Sequence, residues 1–278
     1  YKVIHYNASS LSFVAPLRYA KQYGVTKRII HCHSSSFIGS SIHKILHKVH
    51  KMQISTLANI YLSCSEPATE WMYGGTTIVD RVQLIMNGVD SNKFLYCENI
   101  RSKYRKTLGI ENCFVVGHVG RFSKVKNHEF LINIFSEIKN MKENARLLLV
   151  GDGELRKEIE NVVASKGLNS SVLFLGSRND VPELMQAMDV LVMPSLYEGF
   201  PVTAVEAQAA GLPVIMSDTI TREVCINPNV KMLNLDDSSS SWATDILKSR
   251  ERIKSVDRII DSGLDIKNTS EKLSKIYM

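Results

Sequence analysis

The chain has 278 residues, 44% of them hydrophobic and 22% charged, with a net charge of +6. That is the composition of an ordinary globular protein with room for two domains. No apolar run approaches the ~20 residues of a membrane-spanning helix. The odd number of scattered cysteines (Cys32, Cys64, Cys97, Cys113 and Cys225), with no C-x-x-C pattern, argues against a disulfide framework or a zinc site. The expectation is reduced thiols in a cytoplasmic protein. Residues 1–95 carry 10 Lys/Arg against 4 Asp/Glu and six of the eight histidines, while the remainder holds 24 charges of each sign. An anionic partner is therefore expected at the N-terminal part. It is not expected to be nucleic acid, because no recognition motif accompanies the basic residues. The chain starts at Tyr1 with neither a start methionine nor a signal-like segment, which predicts a fragment whose beginning is absent.

In chain order, residues 3–7 (VIHYN) read as a strand, 11–23 as a helix ending at Gly24, and 28–34 (RIIHCHS) as a second strand. A long helix follows over 41–58, a third strand over 60–65, a helix through Trp71, and a fourth strand over 82–88. Asn87 and Gly88 read as a turn supplying left-handed geometry. The polar stretch 90–111 reads as a domain connection. The pattern resumes with a strand at 113–120 and a helix from 128, where Phe130, Leu131, Ile134, Phe135 and Ile138 form one apolar stripe. Strands at 145–151, 171–176, 189–195 and 212–217 alternate with helices ending near Gly167 and spanning 181–188 and 201–210. Helices near 240–250 and 266–277 close the chain. Buried apolar runs alternating with helices predict parallel sheets. The fold class expected is thus α/β, with two doubly wound Rossmann-like domains over 1–95 and 96–265. Ligands of such sheets bind at the carboxyl ends of the strands.

The segment PSLYEGFPVTAVEAQAAGLPVI places Glu198 and Glu206 eight residues apart around a strand-loop-helix junction. Pro201 suits the first helical position, and the N–H groups beyond it favour an anion such as a diphosphate. Gly199 lets the backbone approach that anion closely. A carboxylate repels a diphosphate, so the two glutamates are expected to read hydroxyls. Glu206, about one and a half turns into the helix, suits a ribose diol; Glu198, in the loop, suits a sugar ring. The alternative is a plain junction with two solvated glutamates. In GHVGRFSKVKNHEF, a Gly120 turn is followed by Arg121 and Lys126, a planar fork and a point charge able to clamp one diphosphate. They would stabilise the charge on a departing nucleotide.

Arg178 and the backbone near Val181 can face a base, or form a plain connection with Asp180 as helix cap. His33 and His31 share one strand face, and His33 stands at a strand mouth, placed either to contact a sugar or to serve structure. The helix 41–52 carries Ile42, Ile45, Leu46, Val49 and Met52 on one stripe and His43, Lys44, His47, Lys48, His50 and Lys51 elsewhere. Its apolar face suits either a core or an anionic membrane surface. No clustered metal-ligand set occurs.

The runs GHVGRFSKVKNHEFL, LLLVGDGELR, DVPELMQAMDVLVMPSLYEGFPVTAVEAQAAGLPVI and SDTITREV closely resemble family 4 retaining glycosyltransferases of the two-Rossmann GT-B fold, of the bacterial capsular and exopolysaccharide type. The likeness is most specific over 113–225; over 1–95 it rests on RIIHCHSSS and LIMNGVD. It implies donor-diphosphate roles for Arg121 and Lys126, sugar contact for Glu198, ribose binding for Glu206, and a sugar- and diphosphate-facing loop at Gly199, Phe200 and Pro201. It further implies base contacts for Arg178 and Val181, His33 close to the transferred sugar, and a last helix at 266–278 packing back on the first domain. The first strand and glycine-rich loop of that family do not occur here, so the acceptor-side domain is expected to be incomplete. The activity implied is transfer from a UDP-sugar to a lipid-linked saccharide, with no metal or other cofactor, at the inner face of the plasma membrane. A nucleotide-sugar 2-epimerase and a non-catalytic nucleotide-sugar-binding subunit are the rival readings.

Overall fold

The computed structural model describes residues 1–35, 40–249 and 251–278, and over these the chain is α/β with two parallel sheets, the expected fold class. Ser36 of RIIHCHSSS and residue 250 lie outside the described residues. Contacts gather the chain into two compact units: Tyr1–Gly88 with Tyr197–Phe200 and Ile266–Met278, and Val89–Leu196 with Pro201–Asp265.

In the first unit, β1 (Val3–Ala8), α1 (Ala15–Gln22), β2 (Lys27–Cys32), α2 (Ser41–Leu57), β3 (Ile60–Ser63), α3 (Glu66–Tyr73) and β4 (Gln83–Leu84) build a sheet in the order β1-β2-β3-β4. The closing helix Ile266–Tyr277 lies on this sheet. Its Leu273 and Ile276 pack on Ile29, Leu62 and Ile85. Lys27 Nζ donates to the terminal carbonyls of Ile276 and Tyr277, both at 3.1 Å, a favourable place for a cation at a helix C-terminus. The Asn87–Gly88 turn differs from expectation, because Gly88 is not left-handed. A side chain there would meet the Ile266 backbone at 2.8 Å, so close approach of the closing helix is what calls for glycine.

The apolar stripe of α2 is not core, which corrects one of its two expected roles. Ile42, Ile45, Leu46, Val49 and Met52 all face outward, Leu46 least at 38% exposed and Met52 most at 84%. The inner face is instead His47, Ile54 and Leu57. His47 stacks on the Trp71 ring at 4.5 Å, and its Nδ1 accepts the Leu11 N–H at 3.0 Å. His50 Nδ1 donates to the Leu11 carbonyl at 2.6 Å. These bonds fix residues 9–13 as a loop, so α1 starts at Ala15 and not near residue 11.

The second unit contains α4 (Ser91–Phe94), α5 (Glu98–Leu108), β5 (Phe114–Val119), α6 (His128–Met141), β6 (Ala145–Val150), α7 (Arg156–Ser165), β7 (Val172–Gly176), α8 (Val181–Ala187), β8 (Val190–Met193), α9 (Val202–Ala209), β9 (Val214–Ser217), β10 (Val230–Leu233), α10 (Ser239–Leu247) and α11 (Asp257–Asp261). The closing helix is thus α12. The strand order is β10-β9-β8-β5-β6-β7, all parallel. β8 and β9 are buried along their whole length, as continuous apolar strands covered on both faces should be. The α6 stripe forms core with Leu147, Leu149, Val192 and Trp242.

The polar stretch 90–111 is not a bare connection. It holds α4 and α5, and α5 sends Arg101 and Arg105 onto the C-terminus of α8. Together with Arg252 they donate to the Met185, Gln186, Ala187 and Met188 carbonyls. Those are the orphan acceptors of a helix end, here capped by three guanidinium groups.

Candidate functional site

β5 and β8 are neighbours at the point where the strand order of the second unit reverses, because β6 lies on the other side of β5. A crevice outside the carboxyl ends is expected at such a switch point. Arg121 and Lys126 leave the end of β5, and Glu206 stands on α9, which follows β8. Lys126 ends a short 3-10 turn, and Asn127 takes a left-handed conformation (φ 53°) that starts α6 at His128. The Arg121 side chain is 72% exposed and paired with Glu154 at 3.0 Å. Glu206 is half-buried, and burial raises its carboxyl above the ordinary carboxylate range. Pro201 is the residue capping α9, whose first helical residue is Val202, one later than expected.

Arg178 and Val181 sit farther out, beyond β7. The Arg178 guanidinium is committed to Asp180 through two bonds of 2.7 and 2.6 Å. That hydrogen-bonded partner, with Tyr104 on the other side, holds the Asp180 carboxyl down at about 2. Asp180 flanks α8 at the cap position without a side-chain cap bond, since Arg178 and Tyr104 occupy its carboxylate.

In the first unit, His33 follows β2, and the Tyr197–Phe200 segment packs beside it. The Ser35 hydroxyl donates to the Glu198 carbonyl at 2.9 Å, and the Ser65 hydroxyl to the Gly199 carbonyl at 3.0 Å. A side chain on Gly199 would meet the His33 carbonyl at 2.9 Å, so glycine is what lets the two segments close up. Phe200 is buried behind them and Glu198 is half-buried. His33 Nε2 lies 2.8 Å from Asn7 Oδ1, and its ring contacts His31 with 4.1 Å between centroids. Burial lowers the His33 pKa, an effect opposed by a hydrogen bond with Asn87. His31 is pushed down to about 3, by burial first and by the neighbouring His33 and His5 next. The ring stack is therefore neutral near pH 7.

The structure thus brings His33 together with Glu198 and Gly199, and puts Arg121 and Lys126 just after the end of β5 and Glu206 on α9, which follows the neighbouring strand β8. Sequence reasoning missed Glu154, Ser35 and Ser65. Glu154 follows directly on Gly151, Asp152 and Gly153 within the run LLLVGDGELR, and Ser65 stands two residues ahead of Pro67 as the N-cap of α3, a readable cap signal. Among the described residues, no group of three or more His, Cys, Asp or Glu side chains is placed to hold a metal ion, and no helix is long and apolar enough to cross a membrane.

Residues 100–263 match the family described as "Glycosyl transferases group 1". The chain is 36% identical over 270 residues to the "Putative glycosyltransferase EpsF" of Bacillus subtilis, covering 93% of this chain and 70% of that protein. It is 38% identical over 142 residues to the Escherichia coli "UDP-Gal:alpha-D-GlcNAc-diphosphoundecaprenol alpha-1,3-galactosyltransferase", covering 50% of this chain but 37% of that one. The crystal structure of Anabaena Alr3699/HepE in complex with UDP and glucose superposes with a TM-score of 0.83 at 23% identity, over 99% of this chain and 77% of that one. The two parallel-sheet units are therefore those of the GT-B fold.

Proposed function

The chain belongs to the group 1 glycosyltransferases, and from that premise we propose that it moves a hexose from UDP to a lipid-linked saccharide, with retention of anomeric configuration. The observation that supports the reading is that Arg121 and Lys126 follow the end of β5 and Glu206 stands on the helix after β8, on either side of the point where the strand order reverses. Two cations there suit a diphosphate and a half-buried carboxylate suits a ribose diol. UDP as the nucleotude partner is supported by the names of the E. coli relative and the Anabaena complex. A lipid diphosphate acceptor is supported by that relative and by the Campylobacter jejuni "N,N'-diacetylbacillosaminyl-diphospho-undecaprenol alpha-1,3-N-acetylgalactosaminyltransferase", 27% identical over 208 residues.

In this reading the bond from the sugar C1 to the diphosphate oxygen breaks while Arg121 and Lys126 take up the growing negative charge. The acceptor hydroxyl attacks the same face and gives its proton to the departing phosphate oxygen. Glu198 orients the sugar by its hydroxyls. No metal takes part. The test is thermal melting with UDP, GDP, ADP and CMP, each with and without EDTA. Ligand bound to the folded state at about 100 times Kd adds roughly 2.7 kcal/mol. UDP is expected to raise Tm with EDTA present, and Glu206→Ala is expected to abolish the rise. No rise with any nucleotide, or one unchanged in Glu206→Ala, would remove the assignment.

The outward stripe of α2 is the proposed membrane contact, at the cytoplasmic face. At 100° per residue, Lys44, Lys48 and Lys51 form a row between the apolar stripe and the inner face. An apolar face flanked by lysines suits an anionic bilayer surface, with about 1 kcal/mol from each lysine near the surface. Co-sedimentation with vesicles containing phosphatidylglycerol is expected, and Lys44→Glu, Lys48→Glu, Lys51→Glu together should weaken it by roughly a hundredfold or more. Unchanged binding would take α2 out of the contact.

A further inference from the structure

Strand pairing puts His5 and Asn7 of β1 beside Ile29 and His31 of β2, on the face of the first unit's sheet that α12 covers. His31 is 4% exposed, in a slot suited to an aliphatic side chain. A polar ring there must be bonded to be tolerated, and both of its nitrogens are. Nε2 lies 3.2 Å from the Ile85 carbonyl. A carbonyl only accepts, so Nε2 carries the proton and, in the neutral ring, Nδ1 is a lone pair. His5 Nε2 lies 3.2 Å from that lone pair and donates to it. Burial first, and then His33, lowers the His5 pKa, so this ring is neutral too and its Nδ1 is an acceptor. The Tyr277 hydroxyl, at the end of α12, donates to it at 2.5 Å.

These bonds all run one way, from Tyr277 through His5 and His31 to Ile85, so that each polarises the next. The opposite tautomer at His31 would break both of its bonds. The ring is held through both nitrogens and cannot turn without losing them. His33 lies against it, with 4.1 Å between centroids and 40° between planes. Its own Nε2 reaches Asn7 Oδ1 at 2.8 Å, and Asn7 is the residue paired with His31 across the strands. A single cross-strand pair thus supplies both the surface beside His33 and the acceptor for its proton.

We propose that His31 is a positioning residue for His33: the bonds from His5 and to Ile85 lock the His31 ring, and that ring holds the His33 imidazole in one orientation at the strand mouth. Tyr277 completes the lock by fixing the tautomer of His5. The assignment rests on the reading that His33 contacts the transferred sugar. It explains why an imidazole occupies a buried strand slot in line with Ile29, and why the last turn of α12 ends in a hydroxyl that reaches β1.

Two measurements test it. In protein labelled with 15N-histidine, His31 is expected at pH 7 as the tautomer protonated on Nε2 alone, and the His33 resonances are expected to move in His5→Phe, which removes the donor to His31. A proton on His31 Nδ1, or His33 resonances indifferent to His5→Phe, overturns the assignment, and neither outcome needs a His31 variant to fold. In a double-mutant cycle on sugar transfer per UDP-binding site, His31→Phe is expected to cost between about tenfold and a hundredfold, as lost orientation does. The double variant with His33→Phe should transfer no more slowly than His33→Phe alone; independent, additive losses overturn the assignment. If His33→Phe transfers at the normal rate, the sugar-contact reading fails, while the resonances still decide whether His31 positions His33.

Discussion

Replacing both Arg121 and Lys126 by alanine is expected to lower kcat/KM by at least a thousandfold, with most of the loss in kcat. Removal of a single preorganised charge-stabilising donor typically costs 10²–10³ in kcat, and in the proposed reaction two cations serve one leaving diphosphate. Their charge matters most as the bond to C1 breaks, so the loss should fall on kcat and kcat/KM together and not on KM alone. The geometry adds a second expectation. Arg121 is held by Glu154 at 3.0 Å in an exposed pair, and such solvent-screened pairs contribute little to stability. A diphosphate can therefore displace Glu154 at little cost, and Glu154→Ala should leave turnover within about twofold or raise it. The check is steady-state transfer of labelled sugar from UDP-sugar to a lipid diphosphate saccharide. Near-normal rates in the Arg121→Ala, Lys126→Ala double variant would end the assignment of both residues. A collapse in Glu154→Ala would show that the pair itself is needed.

What could be read in the sequence follows the range of the interactions involved. Strands β5 to β9 and helix α6 announce themselves through local periodicity, and Arg121, Lys126, Glu198 and Glu206 through local spacing around strand ends. The partners of these residues are set by distant segments. Ser35 meets the Glu198 carbonyl from far along the chain, and nothing near Ser35 signals it. α2 shows the limit in another form. Periodicity finds an apolar stripe but not what covers it; here two histidines and Leu11 hold the opposite face inward and leave the stripe outside. The polar stretch 90–111 misled because two of its charges, Arg101 and Arg105, are spent inside the second unit, on the end of α8.

Asp189 is where that arginine cluster is most exposed to a single change. Its carboxylate accepts from Arg101 at 2.6 Å, from Arg105 at 3.3 Å and from the Val115 N–H at 2.7 Å. Arg105 is 7% exposed, so its charge has almost no access to water. In Asp189→Ala the two guanidinium groups keep only neutral carbonyls, and the edge of β5 loses an acceptor. Breaking a buried pair from one side costs about 3–5 kcal/mol, and the lower end applies because the Asp189 side chain keeps 24% exposure. Each of the two tryptophans reports one unit, Trp71 the first and Trp242 the second, with Trp242 fully buried. In a Trp71→Phe background, urea unfolding followed by Trp242 fluorescence should show a midpoint about 1–2 M lower for Asp189→Ala, at unchanged slope. Asp189→Asn should lose less, because the amide oxygen still accepts the Val115 N–H. The arginines compensate one another, and the carboxylate is idle, if both midpoints stay where they were.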